Sequence, residues 1–245
     1  MENNKNERGF LKKILATQRS KGILTILLYI FALPLGTIVA LFILLGAMFA
    51  VFISGADQGN ASDFTGVLNS DALSDLMMLI IGVVSLIIFV VVFHKTLMVD
   101  IKRLTKKNIH FILASATITL IINFASAAVF NIFNIQFKSQ EILSDLSASN
   151  ALMPMFMVLF HAPITEEIVF RKAMSQIINN NVIFIVVSAL LFGLTHEINI
   201  GAIHFFLMGV ILAITYLKTD KNTTASMIVH FINNLVAFAL AFISA

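Results

Sequence analysis

Apolar runs about twenty residues long, parted by short polar stretches, fill this chain from residue 23 onward. A helix needs ~20 apolar residues to cross a ~30 Å hydrocarbon core, so each run predicts a transmembrane helix. The first run covers residues 23–54 and is interrupted only by Pro34. It is too long for the apolar part of a cleaved leader, and it reads as a retained span. At ~1.5 Å per residue it also exceeds the membrane thickness, so it is expected to tilt, to kink at Pro34 or to divide in two. The second predicted helix covers 76–93 and the third about 110–133. A fourth starts near 151, turns polar after Arg171 and ends at the turn Asn179-Asn180-Asn181. The fifth covers 182–196, the sixth about 201–217, and the seventh runs from Thr223 to the C-terminus. The expected fold is all-α, a polytopic bundle of about seven to eight transmembrane helices.

Charge adds an orientation. Basic residues cluster beside the runs: from Lys5 to Lys21, from Lys95 to Lys107, at Arg171 and Lys172, and at Lys218 and Lys221. The 56–75 loop instead carries Asp57, Asp63, Asp71 and Asp75 without a Lys or Arg. The positive-inside rule puts the N-terminus and the basic turns in the cytoplasm and the Asp-rich loop outside. The expected location is the plasma membrane, multi-pass, with a cytoplasmic N-terminus. Three stretches divide the chain: a basic N-terminus (1–22), N-terminal helices and loops (23–150), and a core (151–245) that holds the chemistry discussed next.

Of 245 residues 59% are hydrophobic and 12% charged, about half the charge of a soluble domain. The net charge of +3 sits beside the spans and forms no phosphate-binding face, so no nucleic-acid partner is expected. Cysteine is absent, which excludes disulfides, thiolate metal sites and a cysteine nucleophile.

An ionisable side chain at mid-membrane costs ~2.5–3.5 kcal/mol or more, so such residues have partners and tasks. Three groups stand out: Glu166, Glu167 and Arg171 on the fourth helix, His196 on the fifth, and His230 with Asn233 and Asn234 on the seventh. Counted at ~1.5 Å per residue, Glu166 and His196 lie roughly 20–24 Å from the Asn180 turn and Asn234 roughly 20 Å from the Lys221 turn, in one layer. Glu167 and Arg171 are i and i+4 on one helix face, with the acid N-terminal to the base. Glu166 is rotated away by about 100°, which leaves Glu167 to Arg171 and Glu166 free to act. His230 and Asn234 are again i and i+4, and Phe192 shares a face with His196, where it can wall a pocket. A Glu beside a His in a dry cavity suits water activation, because the two pass a proton between them. A second His and an Asn suit an oxyanion. His161 is expected to pack or to lie at the interface, Asn233 to tie helices together, and Glu197 to face the outer boundary.

These residues resemble a known family. Glu166-Glu167-Ile-Val-Phe-Arg171, Phe192-Gly-Leu-Thr-His196 and His230-Phe-Ile-Asn-Asn234 are similar to the EExxxR, FxxxH and HxxxN motifs of the CAAX-protease and bacteriocin-processing membrane peptidases, the CPBP family. The resemblance spans roughly 151–238. It implies an intramembrane endopeptidase with a conical active-site cavity, acting on a prenylated, leader-bearing or transmembrane peptide. It also implies Glu166 as the base assisted by His196, an oxyanion site of His230 and Asn234, and support from Glu167, Arg171 and Phe192. No cofactor is required on this reading, although Glu166, His196 and His230 are candidate ligands if a zinc ion takes part. His196-Glu197 lacks the second histidine of an HExxH motif. The alternatives are a catalytically silent scaffold or bacteriocin-immunity protein of the same fold, and a proton-coupled transporter. Paired repeats of interrupted helices, which favour the last, are not seen.

Overall fold

The computed structural model describes residues 17–55, 71–133 and 155–244, and among them there are helices and short connections but no strand. Seven helical runs follow one another: α1 (Gln18–Gly55), α2 (Asp71–Lys102), α3 (Lys106–Ile132), α4 (157–177, in four segments), α5 (Asn181–His196), α6 (Ala202–Lys218) and α7 (Thr223–Ser244). The expected Asp-rich loop and the start of the fourth helix fall largely outside the described residues.

The first apolar run does not divide. α1 passes through Pro34 as one helix, since neighbouring helices make a missing backbone donor tolerable within a membrane bundle. α2 is longer than its apolar run and takes in His94, Lys95 and Lys102, which the sequence places in a loop. The reason is that its end is built into the bundle. Asp100 is buried; its Oδ2 accepts the Thr223 N–H at the start of α7 (2.9 Å), and its carbonyl accepts Asn222 Nδ2 (2.7 Å). Arg103 Nη2 donates to the Asp220 carbonyl (2.8 Å), and Thr105 begins α3 with a capping box shared with Asn108. The α2–α3 turn is thus tied to the α6–α7 turn. Asp100→Ala is expected to cost about 1–3 kcal/mol by orphaning the α7 cap. Thermal unfolding in lipid nanodiscs measures this, and an unchanged midpoint would remove Asp100 from that role.

Four helices, α1, α2, α3 and α7, are long and apolar enough to cross a membrane. α5 and α6, with 16 and 17 residues, are shorter apolar helices. They form a hairpin in backbone contact. A Cβ on Gly209 would stand 2.9 Å from Ala189 Cα, and one on Gly193 2.8 Å from the Ala202 carbonyl oxygen. Small residues permit this approach where lipid offers no hydrophobic drive.

α4 lies in the middle, packed by α1, α2, α5, α6 and α7. Its Ile168, Val169 and Phe170 join Phe89, Phe192, Leu212 and Val229 in the buried core. Ile30, Phe42, Val91, Ile121 and Ile183 remain exposed on the outside, a surface suited to lipid. The start of α1, the α2–α3 turn, the end of α4 and the α6–α7 turn gather at one end. Gly22 approaches the Ala173 carbonyl, Ser175 bonds Tyr216, and Arg103 reaches Asp220. The basic turns therefore share one end of the molecule.

Candidate active site

α4 is not a uniform α-helix. Its 157–161 and 168–173 segments are wound with wider i→i+5 turns on either side of the α segment Ala162–Glu167, a feature that gathers at functional sites. Pro163 accounts for part of it. The Ala162 N–H bonds the Met157 carbonyl, and Pro163, five residues after Val158, has no N–H to give. The Val158 carbonyl is left for a side chain, and Asn234 Nδ2 takes it at 2.8 Å.

Glu167 and Arg171 are fully buried and pair at 3.1 Å through Oε2 and Nε. Arg171 Nη1 also donates to Ser188 Oγ (3.1 Å), and the guanidinium lies 5.2 Å above the Phe192 ring centre, a cation–π contact. Glu167 Oε1 meets His230 Nδ1 at 3.2 Å. Arg171 is thus occupied by Glu167 rather than by Glu166.

Glu166 sits differently. Its side chain is 14% exposed, and Oε2 has no hydrogen-bond partner among the described residues. His196 Nε2 stands 3.7 Å and His230 Nε2 4.0 Å from that oxygen. His196 Nδ1 meets the Phe192 carbonyl at 2.8 Å, and its ring stacks on Phe205 with centres 4.5 Å apart. A carbonyl and a carboxylate only accept, so Nδ1 carries a hydrogen in both histidines, and both rings turn their Nε2 atoms toward Glu166. Two imidazole nitrogens and a carboxylate oxygen converge on one small space. Such a set is suited to proton transfer, and His196, at 26% exposed, is its most open member.

Phe192 is buried, in contact with His196, His230 and Phe170 rings, and so walls the site. Asn234 accepts from Asn233 Nδ2 on Oδ1 (3.3 Å). With one N–H on Val158, its other N–H has no protein acceptor among the described residues. Glu166, His196 and His230 come together, with Glu167, Arg171 and Phe192 behind them, and Asn234 stands one turn along α7.

The donor set His196, His230 and Glu166 has the chemistry of a zinc site, with each Nδ1 anchored as metal-bound histidines are. Its spacing does not fit. Ligands sharing one tetrahedral zinc at ~2.0–2.1 Å lie about 3.3 Å apart, closer than the 3.7 and 4.0 Å found. Among the described residues no group of three or more such side chains has metal-site spacing.

His161 is buried and bonds Ser85 Oγ of α2 at 2.6 Å, a packing role. Glu197 does not face the outer boundary: it is buried, with Asn199 Nδ2 on its Oε2 (3.1 Å). The chain folds back after α5, as Asn199 Oδ1 accepts the Gly201 N–H (2.7 Å), and carries Glu197 inward. Sequence reasoning missed Ser188, although 188, 192 and 196 repeat every four residues on one face of α5. It also missed Tyr29 of α1, whose ring stands edge-on to Phe89 and within electrostatic reach of Glu166. A lone tyrosine inside an apolar run was the available signal.

Residues 148–236 match the family model of type II CAAX prenyl endopeptidases, Rce1-like. No curated protein and no solved structure matches the chain. The matched stretch contains every acidic, basic and amide side chain of the site from Glu166 to Asn234.

Proposed function

We propose that this chain, whose residues 148–236 match the type II CAAX prenyl endopeptidase model, hydrolyses a peptide bond of a membrane-associated substrate with water activated by Glu166 and His196. The observation that carries this reading is the convergence of two imidazole Nε2 atoms on Glu166 Oε2, 3.7 and 4.0 Å away, inside an apolar bundle.

Water held between Glu166 and His196 gives a proton to this set as its oxygen attacks the carbonyl carbon. The proton is taken by Glu166 and passed to His230 Nε2, 4.0 Å from Oε2. The C=O π pair moves onto oxygen, and the free N–H of Asn234 and a protonated His230 stabilise the oxyanion. Glu167, on His230 Nδ1 at 3.2 Å, offsets the imidazolium charge. Collapse of the intermediate breaks the C–N bond, and the stored proton leaves with the amine. Arg171 keeps Glu167 ionised and in place, and Phe192 holds His196 through its carbonyl. No step needs a metal.

The family description names a prenyl endopeptidase, and an S-prenyl peptide suits a bundle whose outside is apolar. The basic end, with Lys102, Arg103, Lys106, Lys172 and Lys218, would face the cytoplasm of the plasma membrane. The test is cleavage of an S-farnesyl peptide and its unprenylated counterpart by the protein in lipid vesicles, with and without a zinc chelator. The expected result is faster cutting of the prenylated peptide and a rate indifferent to the chelator. Activity lost on chelation and restored by zinc would overturn the metal-free mechanism, and cleavage of neither peptide would count against this substrate class.

A further inference from the structure

A chain of three side-chain amides runs from α3 into the site, and its first member lies outside the family-matched stretch. Asn123 Nδ2 donates to Asn233 Oδ1 in a short contact. Asn233 Nδ2 donates to Asn234 Oδ1 (3.3 Å) and to Met208 Sδ (3.5 Å). Asn234 Nδ2 donates to the Val158 carbonyl (2.8 Å). Every amide-to-amide link runs the same way, N–H to C=O, so each amide fixes the orientation of the next.

We infer that Asn123 is a positioning residue for Asn234, holding that amide with its donor edge toward the substrate carbonyl. This rests on the proposed role of Asn234 at the oxyanion. An asparagine amide turned by 180° keeps its shape but exchanges donor for acceptor. In Asn234 the turn would aim Oδ1 at both the Val158 carbonyl and the developing oxyanion, and both contacts would become repulsive. The Asn233 N–H on Asn234 Oδ1 opposes that turn. Asn233 in turn has only a weak sulfur acceptor besides Asn234, so the Asn123 N–H on its Oδ1 is what selects its own orientation. Asn123 Oδ1 has no hydrogen-bond partner among the described residues, so the relay starts there. The demand at its far end is set by the chain itself, because Pro163 leaves the Val158 carbonyl without a backbone donor. A bond serving only to tie α3 to α7 would affect stability and leave the chemical step alone.

The test is a double-mutant cycle in lipid nanodiscs with an S-farnesyl peptide as probe, with kcat, KM and thermal unfolding read for each variant. Asn123→Leu is expected to lower kcat about tenfold, as misplacing a catalytic group from a distance does, with KM within about twofold. Added to Asn234→Ala it should lower kcat no further, because the two act through one group. Asn123→Asp keeps the shape and removes the donor, and it serves the same comparison if the leucine variant does not fold. Equal losses from the Asn123 change in both backgrounds, or no loss at all, would overturn the positioning role while a dead Glu166→Gln upholds the peptidase. Unimpaired cleavage by Glu166→Gln would overturn the base role of Glu166 and leave the cycle to judge Asn123, whereas no cleavage by the wild type would overturn the S-farnesyl peptidase reading and this role together.

Discussion

Glu166→Gln abolishes peptide cleavage, by about 10³-fold or more, and leaves the protein as stable as the wild type: that is the expected result with the largest kinetic effect. The substitution keeps the shape and removes the carboxylate that takes the water's proton, where general-base catalysis contributes about 10²–10⁴-fold. It costs little in folding because Glu166 holds nothing together. Its Oε2 has no hydrogen-bond partner among the described residues, and the buried ion pair is made by Glu167 instead. Rates on an S-farnesyl peptide and unfolding midpoints, measured in the same nanodiscs, separate the two consequences. A variant cleaving within about tenfold of wild type would take the base role away from Glu166. A scaffold would show no such rate to lose, and a proton-coupled transporter would lose coupling while keeping exchange.

The helices were legible because membrane physics writes them in plain lengths, and the site because three motifs place their polar groups at i, i+4 spacings on successive helices. From spacing alone Glu167 goes to Arg171 and Glu166 stays free, as the 3.1 Å pair has it. What escaped depends on contacts between helices, which no single-helix period records. Asp100 lay in a stretch read as loop, yet it caps α7. Ser188 and Asn123 looked like ordinary polar residues in apolar runs, yet one holds Arg171 and the other begins the relay to Asn234. The wide turns of α4 escaped because apolar length is blind to pitch; Pro163 was the visible cause of the first. α5 and α6 read as full spans because their composition is apolar to the end. Their bounds were legible to within about a residue, but the fold-back after His196 that turns Glu197 inward was not.

Arg171→Met has the largest expected effect on stability, a loss of about 3–5 kcal/mol, because it leaves the Glu167 carboxylate uncompensated in an apolar core. Both side chains are fully buried, so no solvent screening softens the change. The Ser188 hydroxyl and the Phe192 ring face lose their cationic partner as well. Glu167→Leu alone should be similarly harmful, since it strands the guanidinium. The two together are expected to recover most of the loss, because a buried ion pair replaced by apolar groups of similar volume is often neutral in folding. Cleavage should not recover with it: the double variant has no acceptor for His230 Nδ1, which sits 3.2 Å from Glu167 in the native protein. The ring is then free to turn its other nitrogen away from Glu166. Unfolding midpoints and peptide cleavage of the single and double variants decide the matter. A double variant that regains stability but not activity assigns the pair to holding the histidine rather than the fold. One that regains both would show that His230 needs no carboxylate behind it.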